Sequence, residues 1–389
     1  MLTKKLIFPL ALVFYEVLVY LSTDMYLPAL PSMQKDFSLL THDTQKALSV
    51  WFLGAGCCQW ITGPLSDYYG RRPVLLISIT IYIIACSICA WTGNYSLFLT
   101  ARFVQGGMIG PIFVAGYAAI HEKFDNTEAV KILATMSCIT IFAPTIGPIL
   151  GAVILKQHSW HKLFLFLAAL SSIAGLVLFL SMPETLESRI EICLKKITRS
   201  YFEILRNQKF MLPVIANCCT FAAMIAWLTM SAFISDKHGL SAMDYGYMQL
   251  CVFGCYIIGN RAISLLIGKY QKSQIVYAGL SISLLGGAAL FLAYLQNSSL
   301  SLGLATISTI TLGAGMCGPN LQKLAMEHSK QTMGLNLSVY STMISINGAI
   351  ISLIVSFLDV DWNTLIGAML SCILFAFILH KTWKVICHQ

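Results

Sequence analysis

The sequence is short of charged residues and has no long polar segment. Only 11% of its 389 residues are Asp, Glu, Lys or Arg, whereas 57% are hydrophobic. The longest polar stretch runs from Pro183 to Lys209, which is too short to fold as a domain. A soluble protein of this length needs a charged surface. The composition therefore excludes a soluble protein and predicts a polytopic membrane protein.

The sequence also lacks the patterns of an enzyme, a metal site or a disulfide framework. Its eight histidines fall in predicted loops or at the ends of apolar spans, and only His158 and His161 share one loop. The 13 cysteines are odd in number and mostly lie inside apolar spans, where they serve as small apolar residues. We therefore expect no enzymatic activity, no metal and no cofactor.

The net charge of +8 indicates membrane topology rather than nucleic-acid binding, because the basic residues sit in short loops beside apolar spans. With both termini placed inside, only five of the 25 lysines and arginines fall in outer loops: Lys35, Lys46, Lys156, Lys162 and Lys237. This bias predicts that both termini are cytoplasmic. We expect no nucleic-acid partner.

Twelve apolar spans are predicted, at residues 6–33, 47–65, 74–92, 96–120, 129–155, 160–182, 210–235, 245–267, 275–295, 300–325, 333–358 and 365–386. The segment 183–209 divides them into an N-terminal bundle of six, residues 1–182, and a C-terminal bundle of six, residues 210–389. Within this segment Ile192, Ile197, Phe202 and Leu205 recur at helical spacing, which predicts an amphipathic helix on the inner membrane surface. Two halves of six spans are typical of secondary transporters.

The first span carries two carboxylates, Glu16 and Asp24. Each ionisable residue in a membrane helix costs about 2.5–3.5 kcal/mol on insertion scales, which packing alone does not explain. Helical geometry places Asp24 roughly 12 Å along the axis from Glu16 and about 80° around it. Both acids can therefore face one cavity, as a site for protons or a cationic substrate. The alternative is a pair of buried acids satisfied by neighbouring hydroxyls and the backbone.

The loop after the second span contains a specific motif, formed by Gly63, Leu65, Asp67, Gly70, Arg71 and Arg72. It resembles the G-x-L-x-D-x-x-G-R-R signature of the major facilitator superfamily at every defined position. The resemblance implies a cytoplasmic latch, whose aspartate and arginine hold helix ends together while the inner gate is closed. The alternative is an ordinary positively charged inner turn.

Arg102 lies within the fourth span, at a depth similar to that of Asp24. Arginine keeps its proton in proteins, so a buried one needs an anion or a set of carbonyls. Together with Gln105 and Gly106 it resembles the R-x-x-Q-G motif of the superfamily, which implies a part in proton coupling. The alternative is an arginine that reaches the outer headgroups.

The fifth span contains small residues and prolines at a spacing that permits close helix packing and a bend. Its Pro144, Gly147, Pro148 and Gly151 resemble the G-x-x-x-G-P-x-x-G antiporter motif, with Ala143 in place of the first glycine. The resemblance favours export over import.

Shorter motifs narrow the resemblance to the twelve-span drug/proton antiporter family. They include Phe8-Pro9-Leu10, Tyr15-Glu16, Asp24-Met25, Gly116-Tyr117-Ala118-Ala119-Ile120, Met182-Pro183-Glu184-Thr185, Tyr245-Gly246 and Gly259-Asn260. The resemblance implies that Glu16 and Asp24 bind the substrate cation and the proton. Thr23 replaces an asparagine and Lys323 an arginine of that family, and these departures bear on substrate range.

Aromatic residues in the spans could line the cavity, because an aromatic face can hold a lipophilic cation. The candidates are Tyr20, Tyr117, Trp227, Phe253 and Tyr340, with Thr23 beside Asp24. Packing or an interfacial position is the alternative for each of them.

We therefore predict an all-α membrane protein with a major facilitator fold, in which two six-helix bundles surround a central cavity. Its expected function is proton-driven efflux of lipophilic cationic and neutral compounds by alternating access, with no cofactor besides the proton gradient. It is expected to be a monomer in the bilayer of a bacterial inner membrane. The alternatives are a narrow exporter of an endogenous metabolite or siderophore, and a proton-coupled importer.

Overall fold

A computed structural model describes residues 2–186, 194–297, 299–329, 331 and 333–388. The chain divides into two compact units, Met1–Leu194 and Lys195–Gln389. The predicted joint at residues 183–209 spans this boundary, and its residues 187–193 lie outside the described part. The division into a 1–182 bundle, a linker and a 210–389 bundle stays a prediction.

The described residues of the first unit form ten α-helices. They are α1 (Leu2–Asp24), α2 (Leu30–Asp36), α3 (Thr41–Tyr69), α4 (Arg71–Trp91), α5 (Tyr95–Gly107), α6 (Ile109–Pro111), α7 (Tyr117–Lys123), α8 (Asn126–Thr140), α9 (Ala143–Leu155) and α10 (His161–Ser181). A 3₁₀ turn, Leu27–Ala29, joins α1 to α2, and a π-helix, Ile112–Gly116, joins α6 to α7.

The described residues from Leu194 onward form another eight α-helices. They are α11 (Leu194–Arg206), α12 (Gln208–Lys237), α13 (Ala242–Leu266), α14 (Lys272–Ser281), α15 (Gly287–Asn297), α16 (Leu300–Glu327), α17 (Met333–Ser356) and α18 (Trp362–His388). A second π-helix, Ile282–Gly286, joins α14 to α15.

The number of helices that could span a membrane differs from the predicted twelve. Among the described residues, ten are long and apolar enough, and the pair α8 and α9, bent by 42°, makes an eleventh. The remaining predicted span lies in α3, which is long enough but falls short of the same test. Its serines, glutamines and glycines lower the mean hydropathy. Such residues are tolerated in a span here because that helix buries much of its surface against neighbouring helices.

Two spans are broken where a proline removes a backbone donor. Pro28 has no N–H to donate to the carbonyl of Asp24, and α1 ends at that residue. Pro111 likewise cannot donate to Gly107, where α5 ends. The first unit therefore has irregular backbone beside two of the predicted site residues, Asp24 and Tyr117.

The linker helix α11 shows two different faces where its side chains are described. Tyr201 and Ile204 are buried, and the Tyr201 hydroxyl lies 3.3 Å from that of Ser338 on α17. Phe202, which is 53% exposed, and Leu205 point outward. Ile192 lies outside the described residues, and the contact of this helix with a membrane surface stays a prediction.

Candidate functional site

Glu16 lies on α1 inside the first unit and is only 2% exposed. The hydroxyl of Tyr117 donates to its carboxylate, at 3.1 Å from Oε1 and 3.0 Å from Oε2. Tyr117 directly follows the π-helix Ile112–Gly116, and π-helical turns often occur at functional sites. The irregular fourth span thus brings one predicted cavity residue onto one predicted acid.

Asp24 is the last residue of α1 and is also 2% exposed. Its only side-chain hydrogen bond within the described chain is a long one, 3.3 Å, from the hydroxyl of Thr23. That hydroxyl lies closer, at 2.6 Å, to the carbonyl of Tyr20. Asp24 is therefore a buried carboxyl with one long hydrogen bond, whereas Glu16 accepts shorter hydrogen bonds from Tyr117.

The antiporter motif packs directly against Asp24. A Cβ atom on Gly147 would lie 2.8 Å from Cβ of Asp24, and one on Gly151 would lie 2.0 Å from the carbonyl oxygen of Met25. Pro144 stands in the first turn of α9 and Pro148 inside it. The two glycines therefore let α9 touch the backbone at the end of α1, which fixes where Asp24 sits.

Arg102 is completely buried within the first unit. Its Nη1 donates to the carbonyl oxygen of Ser22 and to Oε1 of Gln105, each at 2.8 Å. The guanidinium also lies 4.5 Å from the ring centre of Tyr26, close enough for a cation–π contact. No carboxylate lies within 4.0 Å of it in the described part of the chain, and its Nε and Nη2 have no hydrogen-bond partner there.

The remaining candidates divide between the two units. Tyr20 is half-buried and lies near both carboxyl groups of the first unit. Trp227 is fully buried in the second unit, where its indole N–H donates to Gln249 at 2.7 Å. Phe253 and Tyr340 are buried in the same unit. The contacts of Trp227 fit a packing role, and its place in a cavity stays a prediction.

The predicted latch motif forms a network of charges at one end of the first unit. Arg71 donates to Asp67 at 2.5 Å and to Ser66 at 2.9 Å, and its Nε and Nη2 donate to Glu122 at 3.2 and 3.1 Å. The guanidinium of Arg72 donates to the carbonyl oxygen of Phe179 at 2.8 Å. Arg71 therefore ties the ends of α3, α4 and α7 together.

The other motif residues shape this end of the unit. Gly63 and Leu65 lie in the last two turns of α3, and Gly70 links it to α4 with a φ of 109°, where a side chain would be strained. A Cβ atom on Gly70 would also lie 2.4 Å from a carboxylate oxygen of Glu184. The φ of Gly70 therefore favours glycine, and any larger residue would also have to displace the carboxylate of Glu184.

Sequence reasoning missed two acids of this network, Glu122 and Glu184. The Glu184 carboxylate accepts the backbone N–H groups of Arg71 at 3.0 Å and Arg72 at 3.3 Å, which caps the start of α4. Thr185 donates to Glu122 at 2.5 Å. Partial burial raises the pKa of Glu184, but its backbone N–H donors outweigh that effect and hold the pKa below its usual range. Only the segment 182–185, noted above for its resemblance, pointed to these contacts. We call this segment after α10 the strap.

Comparison with known proteins agrees with this geometry. The profile of the Major Facilitator Superfamily matches residues 12–352. The chain is 32% identical over 393 residues to the multidrug transporter MdfA of Edwardsiella ictaluri (strain 93-146), with 94% of each protein covered. It is 30% identical over 346 residues to the multidrug resistance protein MdtM of Salmonella typhimurium (strain LT2), covering 87% of this chain and 84% of that protein.

The solved structure of a D-xylose–proton symporter superposes with a TM-score of 0.77 at 14% identity, covering 95% of this chain and 96% of the symporter. This likeness confirms the predicted major facilitator fold. The two independent comparisons, of sequence and of structure, indicate a membrane transporter rather than an enzyme. The match over most of its length shows that the chain belongs to the major facilitator superfamily.

Proposed function

We propose that this protein is a proton-driven multidrug exporter of lipophilic cationic and neutral compounds. Two of its relatives are named as multidrug transport proteins, and the chain covers 94% of the first of them. The observation that carries the proposal is the pair of buried carboxyls on the first span. Glu16 and Asp24 are both 2% exposed, and neither has a basic partner within 4.0 Å among the described residues.

A buried carboxyl without a basic partner is stable only when something neutralises its charge. A proton bound to the carboxyl removes the cost of burying the anion, and so does a bound cation. Protons and cationic substrates therefore compete for Glu16 and Asp24. Exposing these acids alternately to the two sides of the membrane converts this competition into antiport.

Arg102 acts in this scheme by holding the backbone next to Asp24. Its Nη1 donates to the carbonyl oxygen of Ser22, two residues before the acid, while its Nε and Nη2 have no hydrogen-bond partner among the described residues. A charge change at Asp24 acts directly on this guanidinium, because unscreened charges interact strongly inside a protein. We assign Arg102 to coupling and Glu16 and Asp24 to binding.

The charged network around Arg71 serves as the inner latch in the same proposal. Asp67, Glu122 and Glu184 all contact residues Arg71 or Arg72 at the helix ends of the first unit. The latch holds while the cytoplasmic side is closed, and its ion pairs separate when that side opens.

The protein works in the cytoplasmic membrane of a bacterium, like the bacterial relatives it resembles. The lysine and arginine distribution supports an orientation with both termini inside. It is a monomer that draws on the proton gradient and uses no cofactor. Each charge moved is driven by about 2.3 kcal/mol per 100 mV of membrane potential.

Ethidium efflux from cells that lack their own pumps tests this function. The parent protein is compared with Asp24→Asn and Glu16→Gln, with and without an uncoupler, at matched expression. We expect uncoupler-sensitive efflux from the parent and none from Asp24→Asn. Absence of efflux from a well-expressed parent contradicts the multidrug proposal and favours a narrow exporter of an endogenous compound.

A further inference from the structure

The first unit carries an apolar groove of about 410 Å³ on its surface, between α3 and α4. Met108 and Pro111 form its floor, at the place where the fourth span is broken. Ile61 on α3 and Ile77 on α4 stand at its rim and are exposed. Neither acid of the first span lines the groove, so it is separate from the proposed site for protons and cations.

Glycines in the fourth span hold the floor of the groove against α3. A Cβ atom on Gly107 would lie 2.6 Å from Sγ of Cys58, and one on Gly110 would lie 3.0 Å from the hydroxyl oxygen of Thr62. The span breaks between these contacts, because Pro111 has no N–H to donate to the carbonyl of Gly107. The groove is therefore built into the fold of the first unit.

The walls of the groove offer mainly hydrocarbon to an occupant. No Asp, Glu, Lys or Arg is among the described residues that line it. The hydroxyl of Thr62 donates to the carbonyl oxygen of Cys58 at 2.8 Å, and that of Ser78 donates to the carbonyl oxygen of Leu75 at 2.7 Å. Both hydroxyls thus use their hydrogens within their own helices. An occupant is therefore held by burial of apolar surface rather than by hydrogen bonds.

The length of the groove matches the hydrocarbon depth of one membrane leaflet. Along α3 it runs from Cys58 to Tyr69, a separation that rises roughly 16 Å in an α-helix. Half of the hydrocarbon core of a bilayer measures about 15 Å. Tyr68 and Tyr69 are both exposed at the end of α3, as is typical of tyrosines at a membrane interface. The groove therefore begins at the interface and reaches the middle of the bilayer.

We propose that this groove binds one acyl chain of a membrane phospholipid and recognises the acyl chain rather than the headgroup. The tyrosine end of the groove adjoins the ion pair of Asp67 and Arg71, so the bound acyl chain packs between the two helices that carry the predicted latch. The lipid belongs to the inner leaflet, and this assignment alone rests on the proposed orientation of the termini. The site itself goes beyond the proposed function, because it holds a component of the membrane and no substrate.

Photo-crosslinking in liposomes tests the groove without a proton gradient. The probe is a phosphatidylcholine with a diazirine halfway along one acyl chain, and a phosphatidylglycerol with the same acyl chains tests the headgroup. Labelled positions are identified by mass spectrometry of peptides. Val74→Trp and Leu65→Trp each place a large ring in the groove. Leu176→Trp is the matched control, because Leu176 is exposed on α10 and does not line the groove.

We expect labelling of Met108, on the floor of the groove, to exceed labelling of the exposed Ile173 on α10 by about tenfold, because the groove buries more of the acyl chain than an open helix face does. Both headgroups should label equally. The excess at Met108 should disappear in Val74→Trp and Leu65→Trp and remain in Leu176→Trp, with all three variants checked for a melting temperature near that of the parent protein.

Equal labelling of Met108 and Ile173 would show only the lipid that surrounds any membrane protein, and it would overturn the proposal. An excess that survives in both groove variants would do the same. A preference for one headgroup would contradict recognition through the acyl chain, and displacement of the probe by ethidium would assign the groove to substrates. Absence of ethidium efflux by the parent bears on the proposed exporter alone, so the two failures are distinguishable.

Discussion

Glu16 keeps its place through the hydroxyl of Tyr117, which binds both of its carboxylate oxygens. The sequence indicated each residue separately, but the pair could not be predicted, because it depends on the π-helix before Tyr117. That irregular turn shifts the register of the fourth span, and no simple helical period predicts the shift.

Replacing Glu16 by Gln should separate charge from shape at this position. The Gln carbonyl still accepts from Tyr117, so the packing is kept while the anion is lost. We expect efflux of tetraphenylphosphonium to fall at least tenfold, roughly the value of one charge-assisted contact, while chloramphenicol efflux is retained. Initial efflux rates of both compounds from the same cells measure this, and an equal loss of both would contradict it.

Arg102 should not tolerate a lysine. Its Nη1 donates to both the carbonyl oxygen of Ser22 and Oε1 of Gln105, and the flat guanidinium lies over the ring of Tyr26. A lysine ammonium lacks this planar geometry and leaves buried acceptors unpaired, at about 1–3 kcal/mol for each. We expect Arg102→Lys to lower the melting temperature in detergent measured by intrinsic fluorescence.

Arg199→Lys provides the matched control for that measurement, since the side chain of Arg199 is 82% exposed and its one ion pair among the described residues is with Glu203. Exposed ion pairs contribute little to stability. If both variants melt like the parent protein, the buried network of Arg102 is not stabilising.

The meeting of α1 and α9 is the contact between elements on which Asp24 depends. The spacing of Gly147 and Gly151 predicted close packing, but the sequence did not show which helix lies opposite. That partner is the broken end of α1, whose carbonyl at Met25 lies 2.0 Å from where a Gly151 side chain would begin.

Gly151→Ala should therefore force α9 away from α1. Overpacking of this kind costs about 1–3 kcal/mol, and here it displaces Asp24 as well. We expect a lower melting temperature and loss of uncoupler-sensitive ethidium efflux. Gly175→Ala on α10 is the control, because its Cβ would make only ordinary contacts, at 3.5 Å or more. Normal efflux by Gly151→Ala would show that this contact does not position the acid.

The strap after α10 holds the inner latch through Glu184. Its pKa is lowered in the folded protein, so the ionised group stabilises the fold fully above the unfolded pKa of about 4.3. That stabilisation is lost as the pH falls through the lower folded pKa. We expect Glu184→Gln to melt below the parent protein by a constant margin from about pH 5 to 8, and the margin to shrink below about pH 4. A margin that grows on acidification would contradict this assignment.

The whole architecture was more accessible to sequence analysis than the details of the site. Long apolar spans and the Gly63–Arg72 motif predicted the fold, since a membrane demands continuous helices with charged ends. The polar span in α3 escapes a hydropathy test because packing within the unit replaces contact with lipid. The network of Glu122 and Glu184 was not predictable, because it joins residues 71, 122 and 184, far apart along the chain.

The same limit applies to the contact between α12 and α17 in the second unit. Tyr340 was indicated as a cavity aromatic, but the hydrogen bond that its hydroxyl oxygen accepts from Asn217 on α12 was not predictable. Residues 217 and 340 come together through packing of α12 on α17, and no sequence period announces that contact.

The central claim is that proton movement and substrate movement are opposed and depend on Asp24. The most direct test uses liposomes that contain the purified protein, ethidium and a pH-sensitive dye, with potassium and valinomycin clamping the membrane potential. An outward ethidium gradient should acidify the lumen in the parent protein, whereas Asp24→Asn should leave its pH unchanged. Alkalinisation of the lumen, or equal acidification by Asp24→Asn, would contradict antiport through this carboxyl.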